Sequence, residues 1–339
     1  MILAQAHANL ALVKYWGKTA EGGNRAANAS LSVTLDGLTS LAAVRFRSRG
    51  ESDRAVWHPP GPTEGLGRFV AHAREVLRIR RAVDVVVQSN FPVGSGLASS
   101  ASAYAALTYA LAEAADEAPG NVDLTALARS GSGSACRSLL GGFVEWQVGA
   151  EETVRQVAAA DHWPLAVVIA VTREEPKHIS SREGMVRTAS TSPFYRAWLD
   201  ANPADLSLVR DAVQRRDLAA LGPVVERNAL RMHATALGST PPLLYWEPAT
   251  VAVMREVWRL REEGTAAFFS IDAGPQVKVV CEPGAADGVA AALTEVPGVH
   301  RVLRSRPGQG PRMLREPPSW ARLPAPWQDT PTPAGGGAT

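Results

Sequence analysis

The chain has 339 residues, 46% of them hydrophobic, and its 35 lysines and arginines nearly balance its 33 aspartates and glutamates, which gives a formal net charge of +2. This length favours a large core divided into two domains or lobes. So small a net charge gives no reason to expect binding to nucleic acid.

Two cysteines occur, Cys136 and Cys281, without the spacing of a metal site or of a disulfide framework. No apolar run reaches the roughly 18 residues that a membrane span needs. The N-terminus lacks the basic region, apolar core and cleavage site of a signal peptide. We therefore expect a cytoplasmic protein with a small-molecule substrate, and no binding to membranes or nucleic acid.

Apolar periodicity and turn residues predict the elements of the first half of the chain. A turn is expected at Gly22-Gly23-Asn24. The other predicted elements are strands over residues 6–13, 31–35, 41–46 and 82–88, and helices over 69–81, 104–115 and 123–129.

The second half begins with an apolar strand and a long polar stretch, and we place a lobe boundary between them. The predicted divisions are an N-terminal ATP-binding lobe over 1–172, a C-terminal lobe over 173–316, and a disordered tail rich in proline and glycine over 317–339. The predicted elements are strands over 164–171, 266–272 and 276–281, and helices over 194–201, 206–216, 217–237, 248–263 and 285–294.

The small-residue loop over residues 92–102, Pro-Val-Gly-Ser-Gly-Leu-Ala-Ser-Ser-Ala-Ser, lies between a predicted strand and a predicted helix. Gly94 and Gly96 let the backbone approach an anion closely. Ser99 and Ser100 can cap the helix or donate their hydroxyls, and the free amides of a helix N-terminus attract negative charge. The loop therefore predicts a phosphate-binding site.

Other interpretations of this loop are an ordinary glycine turn, a P-loop and a dinucleotide-binding fingerprint. A P-loop needs a Lys-Ser/Thr pair that is absent, and Ser99 occupies the third glycine position of the fingerprint. The string Pro-x-x-x-Gly-Leu-x-Ser-Ser-Ala instead resembles the ATP-binding loop of the superfamily of galactokinase, homoserine kinase, mevalonate kinase and phosphomevalonate kinase. The resemblance implies that ATP is bound by Gly94, Ser95, Gly96, Leu97, Ala98, Ser99 and Ser100.

Residues 8–18, Ala-Asn-Leu-Ala-Leu-Val-Lys-Tyr-Trp-Gly-Lys, form a second motif at the end of a predicted strand. Lys14 and Lys18 supply point charges for phosphate or carboxylate, and Tyr15 supplies a phenolic donor. Two lysines alone would more often be solvated at a strand end. However, the stretch is very similar to the N-terminal motif of the diphosphomevalonate decarboxylase family, a member of the same superfamily. The resemblance implies substrate contacts for Tyr15, Trp16, Gly17 and Lys18.

The run over residues 131–138, Gly-Ser-Gly-Ser-Ala-Cys-Arg-Ser, continues directly into an apolar segment, so we expect it to be packed rather than a flexible linker. It closely resembles the substrate loop of the same family. The resemblance implies that Arg137 contacts the substrate carboxylate, while Tyr15, Lys18 and Arg182 face the diphosphate. It implies further substrate contacts for Ser132, Gly133, Ser134, Ala135 and Cys136.

Asp272 ends a strongly apolar predicted strand and precedes Ala-Gly-Pro. An aspartate in this context is typical of a turn, but a partly desolvated carboxylate with a lysine partner is also a candidate base. The string Ile-Asp-Ala-Gly-Pro resembles the decarboxylase motif that holds the catalytic aspartate, and Lys14 matches the lysine beside it. By the same resemblance the catalytic set is Asp272, Lys14 and Arg137. His233, alone in a helical pattern, is interpreted as structural.

The motifs occur in family order from about residue 6 to residue 281. They imply an α+β fold with two lobes, a ribosomal protein S5 domain 2-like N-terminal lobe and a ferredoxin-like C-terminal lobe. The implied reaction is decarboxylation of mevalonate 5-diphosphate with ATP and Mg²⁺, and no protein ligand of the metal is predicted. A phosphomevalonate decarboxylase, a mevalonate 3-kinase and a non-catalytic nucleotide-binding sensor are the alternatives. A homodimer is expected by analogy with the family.

Overall fold

The computed structural model describes residues 1–19, 24–58, 64–116, 122–149, 152–175, 177–324 and 327. Its strands are β1 Ile2–Val13, β2 Ser30–Phe46, β3 Arg54–Trp57, β4 Val83–Ser89, β5 Phe143–Gln147, β6 Thr153–Ala158, β7 Ala166–Val171, β8 Ala267–Ile271, β9 Val277–Cys281, β10 Arg301–Ser305 and β11 Arg312–Leu314. Its helices are α1 Glu64–Val76, α2 Ser99–Glu113, α3 Leu124–Gly131, α4 Ser181–Thr191, α5 Tyr195–Arg215, α6 Leu218–Leu237, α7 Pro248–Glu262 and α8 Ala286–Thr294. Short 3-10 helices span Gly133–Leu139 and Pro283–Ala285.

The first sheet has the strand order β11-β1-β2-β4-β3, with β5 paired to β2 and β6 paired to β5. All pairs are antiparallel except β3 with β4. Apolar residues of α1, α2 and α3 cover one face of this sheet. The two strands predicted over 31–35 and 41–46 are one strand, β2, because its pairing with β1 continues across Asp36 and Gly37 through a register shift.

The second sheet has the order β10-β7-β9-β8 and is antiparallel throughout. The side chains of β7 alternate between two cores, which explains why this strand is apolar on both faces. Val167 and Ile169 pack with α5, α6 and the first sheet, whereas Val168 and Ala170 pack with α7 and α8. The chain therefore passes from the first sheet to the second between β6 and β7, before the predicted lobe boundary at residue 172.

Several predicted helices have different limits in the structure. Helix α1 ends at Val76, five residues before the predicted end, and Arg78 follows in the left-handed conformation with φ 57°. The predicted helices over 194–201 and 206–216 form the single helix α5. The polar stretch at the start of the predicted C-terminal lobe contains α4, whose Ser180 cap accepts a hydrogen bond from the Glu183 amide.

The first residues of the predicted disordered tail pack against the first sheet. Leu323 and Trp327 are buried beside Leu41, and Gln88 exchanges two hydrogen bonds with the backbone of Arg322. Burial of these apolar side chains explains why this part of the tail is ordered. Residues 328–339 of the predicted tail, and the glycines of the turn predicted at 22–24, lie outside the described residues. Among the helices that are described, none combines the length and the apolar character that crossing a membrane requires.

Candidate active site

A cleft of about 1040 Å³ is lined by residues from both halves of the chain. The ends of β1 and β8, the start of α2, the 3-10 helix Gly133–Leu139 and the start of α4 all contribute to it. Among its described lining residues Asp272 is the single carboxylate, whereas six side chains are lysines or arginines. These six residues are Lys14, Lys18, Arg68, Arg137, Lys177 and Arg182. A concave site with this charge is suited to a ligand that carries several negative groups.

Asp272 directly follows β8, and each of its carboxylate oxygens contacts a lysine. Lys14 Nζ lies 2.5 Å from Oδ1, and Lys278 Nζ lies 2.7 Å from Oδ2. The Asp272 side chain is 21% exposed, on the cleft, while both lysines are buried. Burial opposes ionisation, but the two ammonium groups outweigh it and hold the pKa of Asp272 well below its usual range. The carboxylate is therefore ionised and can accept a further hydrogen bond from the cleft.

The backbone of Lys14 is held on both sides by buried asparagines. Asn228 Oδ1 accepts from the Lys14 amide at 2.8 Å, and Asn28 Nδ2 donates to the Lys14 carbonyl at 2.7 Å. The Lys14 ammonium also donates to Ser270 Oγ at 2.7 Å and to the Ala11 carbonyl at 2.9 Å. Burial lowers the pKa of Lys14 to about 8 even though Asp272 opposes the shift. Lys14 is thus fixed in position and carries its charge below about pH 8.

Arg137 lies in the 3-10 helix Gly133–Leu139 and is 2% exposed. Its Nε donates to Ser32 Oγ at 2.9 Å, Nη1 to Ser30 Oγ at 2.6 Å, and Nη2 to Asn9 Oδ1 at 3.2 Å. These partners are all neutral, and burial lowers the pKa of the guanidinium. Since a guanidinium has five N–H donors, one on each terminal nitrogen has no partner among the described residues, and Arg137 lines the cleft.

The predicted phosphate loop adopts the left-handed conformation at Gly94, Gly96 and Ala98, with φ of 78°, 95° and 58°. Helix α2 begins at Ser99, earlier than predicted, and Ala98 is its N-cap residue without a side-chain hydrogen bond. Of the two roles that the sequence left open for Ser99 and Ser100, helix capping is therefore not the one observed. Ser99 Oγ instead accepts from the Gly94 amide at 3.1 Å, which closes the loop over the start of the helix. Ser100 Oγ lies 3.1 Å from Ser132 Oγ, so the loop meets the serine-rich segment at the cleft.

Two of the three residues predicted to face a diphosphate, Lys18 and Arg182, meet at Asn24. Lys18 Nζ and Arg182 Nη2 both donate to Asn24 Oδ1, at 2.6 and 3.1 Å. Burial and the charge of Arg182 lower the pKa of Lys18 to about 8. The Tyr15 hydroxyl is buried and has no hydrogen-bond partner among the described residues. Two cations and a donor are thus available at this end of the cleft for an anionic group.

Two family models match most of the chain. Residues 6–158 match the diphosphomevalonate decarboxylase-like N-terminal domain, and residues 167–299 match the mevalonate 5-diphosphate decarboxylase C-terminal domain. A diphosphomevalonate decarboxylase from Bos taurus is 35% identical over 311 residues, which cover 82% of this chain and 76% of the relative. The chain belongs to the diphosphomevalonate decarboxylase family.

Solved structures of the family resemble this chain over both sheets. A structure described as MDDEF in complex with MVAPP, AMPPCP and magnesium has a TM-score of 0.83 at 36% identity, covering 92% of this chain and 98% of that one. A structure concerned with the mevalonate diphosphate mediated ATP binding mechanism of the mevalonate diphosphate decarboxylase from Enterococcus faecalis has a TM-score of 0.82 at 35% identity, with coverages of 92% and 98%. These similarities confirm the predicted family and the two-lobed α+β fold.

The family resemblance also pointed to residues that do not line the cleft in the described part of the chain. They are buried. Leu97 and Ala135 belong to the hydrophobic cores, Ser95 Oγ donates to the Pro92 carbonyl, and the Cys136 thiol donates to the Gly133 carbonyl. The residues in this group are Gly17, Ser95, Leu97, Ala135 and Cys136. Trp16, Gly133 and Ser134 line the cleft, as expected.

Two lysines at this site were not predicted from the sequence: Lys177, which lines the cleft, and Lys278, which contacts Asp272. Lys177 donates from its amide to the Gly94 carbonyl at 3.2 Å and from Nζ to the Ala273 carbonyl at 2.5 Å, and burial lowers its pKa to about 8. Lys278 lies under Asp272. Lys177 occurs in a polar stretch with other charges, so no pattern singled it out. Lys278 interrupts the apolar strand β9, and that interruption was the available signal.

His233 is buried beside Tyr245 and Trp246, and its Nε2 lies 3.3 Å from the Ile271 carbonyl. Burial and the nearby Lys14 lower its pKa to about 3, so the imidazole is neutral near pH 7. It is not among the described residues that line the cleft. This environment agrees with the structural role predicted for it.

Proposed function

We propose that this chain converts mevalonate 5-diphosphate and ATP into isopentenyl diphosphate, ADP, phosphate and carbon dioxide. The observation that carries the proposal is the ionised Asp272, which faces a cleft whose other charged lining residues are basic. The relatives and solved structures named diphosphomevalonate or mevalonate diphosphate decarboxylase support the same reaction. The cleft offers a separate group for each part of the two substrates.

Asp272 acts on the tertiary 3-hydroxyl of the substrate. A hydroxide is a poor leaving group, so the hydroxyl oxygen must first attack the γ-phosphate of ATP and become a phosphate ester. The Asp272 carboxylate orients the hydroxyl and accepts its proton as the O–P bond forms. Lys14 and Lys278 prevent the carboxylate from turning away, since each holds one of its oxygens.

Loss of the 3-phosphate then leaves positive charge at C3. The bond between the carboxylate and C2 breaks, carbon dioxide departs, and the released electron pair forms the double bond. Arg137 holds the carboxylate through the two N–H groups that its serine and asparagine partners leave free. Its neutral surroundings suit this role, because no carboxylate of the described residues bonds to the guanidinium in place of the substrate.

Lys18, Arg182 and Tyr15 bind the diphosphate, and the loop from Gly94 to Ser100 binds the ATP phosphates. Backbone amides at the start of a helix and small residues that let a phosphate approach are suited to this purpose. Lys177, tied to Gly94, adds positive charge on the other side of the loop.

A magnesium ion fits this cleft as a companion of the nucleotide. The described residues hold no group of three or more potential metal ligands, and magnesium commonly keeps several waters and binds substrate phosphates. The hydroxyls of Ser99 and Ser100 are the side chains that would hold it. When bound, the ion neutralises charge on the phosphates.

We further propose that the chain works as a homodimer in the cytoplasm. Both cysteines are free and buried, which agrees with a reducing compartment. Several large apolar side chains stay exposed on adjoining segments, among them Val186, Phe194 and Leu244. Light scattering of the purified protein tests the dimer, and a monomeric mass would refute it.

The reaction is tested by supplying mevalonate, its 5-phosphate and its 5-diphosphate with ATP, while ADP and carbon dioxide are both followed. We expect the diphosphate to give both products in equal amounts, and Asp272→Asn to lose both by about 10²- to 10⁴-fold. Preference for the monophosphate would make the protein a phosphomevalonate decarboxylase. ADP without carbon dioxide would make it a kinase, and no turnover with any substrate would refute the proposal.

A further inference from the structure

Lys278 lies in the centre of the second sheet, on strand β9. The strand has the sequence Val-Lys-Val-Val-Cys and is buried along its whole length. Lys278 itself is 0% exposed, and it pairs in register with Ser270 of β8 and Ile169 of β7. An aliphatic side chain would pack at this position without the free-energy cost of desolvating a charge. The lysine therefore needs an explanation beyond packing.

The ammonium of Lys278 has two partners. It donates to Asp272 Oδ2 at 2.7 Å and to the Gly96 carbonyl of the phosphate loop at 2.9 Å. Lys14 holds the other carboxylate oxygen, so neither oxygen can rotate without breaking an ion pair. Lys278 is not among the described residues that line the cleft. It can act on a substrate only through Asp272 or through the loop.

The β8–β9 turn and the phosphate loop are joined at further points. Gln276 Nε2 donates to the Ser95 carbonyl at 3.2 Å. Gly96 and Gly274 pack backbone to backbone, so that a Cβ on Gly96 would lie 2.8 Å from the Gly274 Cα. The strand end that carries Asp272 and the loop that faces the nucleotide are thus held as one unit.

We propose that Lys278 is a positioning residue that orients the Asp272 carboxylate and couples its position to that of the phosphate loop. This inference rests on the function proposed above. It goes beyond the lysine expected beside the catalytic aspartate, because Lys14 contacts Oδ1 alone, whereas Lys278 joins Oδ2 to the nucleotide side of the cleft.

Charged groups from several elements surround Asp272. Lys14 and Lys278 both hold its pKa below the usual range, against the effect of burial. The more distant charged or titratable groups are Lys177, before α4, Arg137, in the 3-10 helix, and His233, in α6. Since His233 is neutral and the others are cations, removal of Lys278 leaves Asp272 with less positive charge around it and raises its pKa.

The test compares Lys278→Met with the wild type across acid and neutral pH, using mevalonate 5-diphosphate and ATP. Methionine keeps the length of the side chain but removes its charge. We expect kcat to fall about 10- to 100-fold, as for a misplaced reacting group, with KM for the diphosphate changed less than about threefold. The acid limb of kcat should move up by about one to three pH units, the effect of losing one close opposite charge.

Gln276→Ala is the matched control, because Gln276 also fastens the phosphate loop but does not contact Asp272. Both variants are expected to raise KM for ATP, and only Lys278→Met should move the acid limb. An unchanged acid limb or an unchanged kcat in Lys278→Met would overturn the proposal, as would the same shift in both variants.

Thermal unfolding is measured for each variant. If Lys278→Met does not fold, Lys278→Gln, which keeps a donor but no charge, is expected to show the same direction of shift. Failure of both variants to fold would assign Lys278 to the stability of the sheet and overturn the positioning role. Turnover by the wild type distinguishes failure of this inference from failure of the proposed function. If the wild type has no turnover, both the proposed function and the positioning role are refuted.

Discussion

Replacement of Arg137 by glutamine tests how the cleft recognises a carboxylate. Three of the five N–H donors of Arg137 are committed to Ser32, Ser30 and Asn9, which leaves two for the substrate. Hydrogen bonds to charged groups contribute about 1.5–3 kcal/mol each. Loss of two such bonds predicts a decrease of about 3–6 kcal/mol, or roughly 10²- to 10⁴-fold in kcat/KM.

The assay follows ADP and carbon dioxide with mevalonate 5-diphosphate at saturating ATP. Arg137→Lys keeps the charge but lacks the planar fork, so its kcat/KM should lie between that of the wild type and that of Arg137→Gln. Arg196→Lys is the control, because Arg196 is exposed and pairs with Asp200 away from the cleft. The affinity for isopentenyl diphosphate, which has no carboxylate, should stay within about twofold of the wild type in Arg137→Gln.

Two results would refute this reasoning. A kcat/KM of Arg137→Gln within about threefold of the wild type would show that the guanidinium does not hold the carboxylate. Equal weakening of substrate and isopentenyl diphosphate would show that Arg137 supports the whole site instead. Melting temperature separates both results from loss of the fold.

Four more outcomes follow from the cleft. Burial lowers the pKa of Lys14, Lys18 and Lys177 from 10.5 to about 8, so KM for both substrates should rise above about pH 8 in a pH series, and a flat profile would contradict this. Between about pH 8 and 10.5 the unfolded chain binds more protons at these lysines than the folded chain does, so their contribution to the free energy of unfolding increases with pH while activity falls. Denaturant unfolding measured across that pH range checks this. Lys18→Met should lower kcat/KM for the 5-diphosphate by about 10- to 100-fold and should lower kcat/KM for the 5-phosphate by less. Equal decreases for the two substrates would show that Lys18 does not bind the second phosphate. Gly96→Ala places a Cβ 2.8 Å from Gly274 at a φ of +95°, which should destabilise the protein by about 1–3 kcal/mol and raise KM for ATP; an unaltered melting temperature and KM would contradict this.

Local sequence was sufficient for many of the strands and for the separate parts of the cleft. Strand β9 and helix α7 begin or end within a residue of their predicted limits, because apolar runs and capping residues act over a few neighbours. The motifs around Lys14, Arg137 and Asp272 were identified individually. The structure brings all three to one cleft.

Contacts between residues far apart in the sequence determined the features that apolar periodicity did not predict. Strand β2 continues across Asp36 and Gly37 because β1 pairs with both of its halves. Leu323 and Trp327 are buried because the first sheet offers them an apolar surface. Neither effect can be found in a short window of sequence, since the stabilising partner is remote.

The sequence by itself determined the kinds of groups that this protein uses: a glycine and serine loop for phosphates, lysines and an arginine for anions, and one aspartate. The family motif implied Lys14 beside Asp272, but only the tertiary structure decided that Lys278 binds the second carboxylate oxygen and also the Gly96 carbonyl. The reason is physical. Ionisation and orientation of a carboxylate depend on charges a few ångströms away, and here those charges come from the ends of different strands.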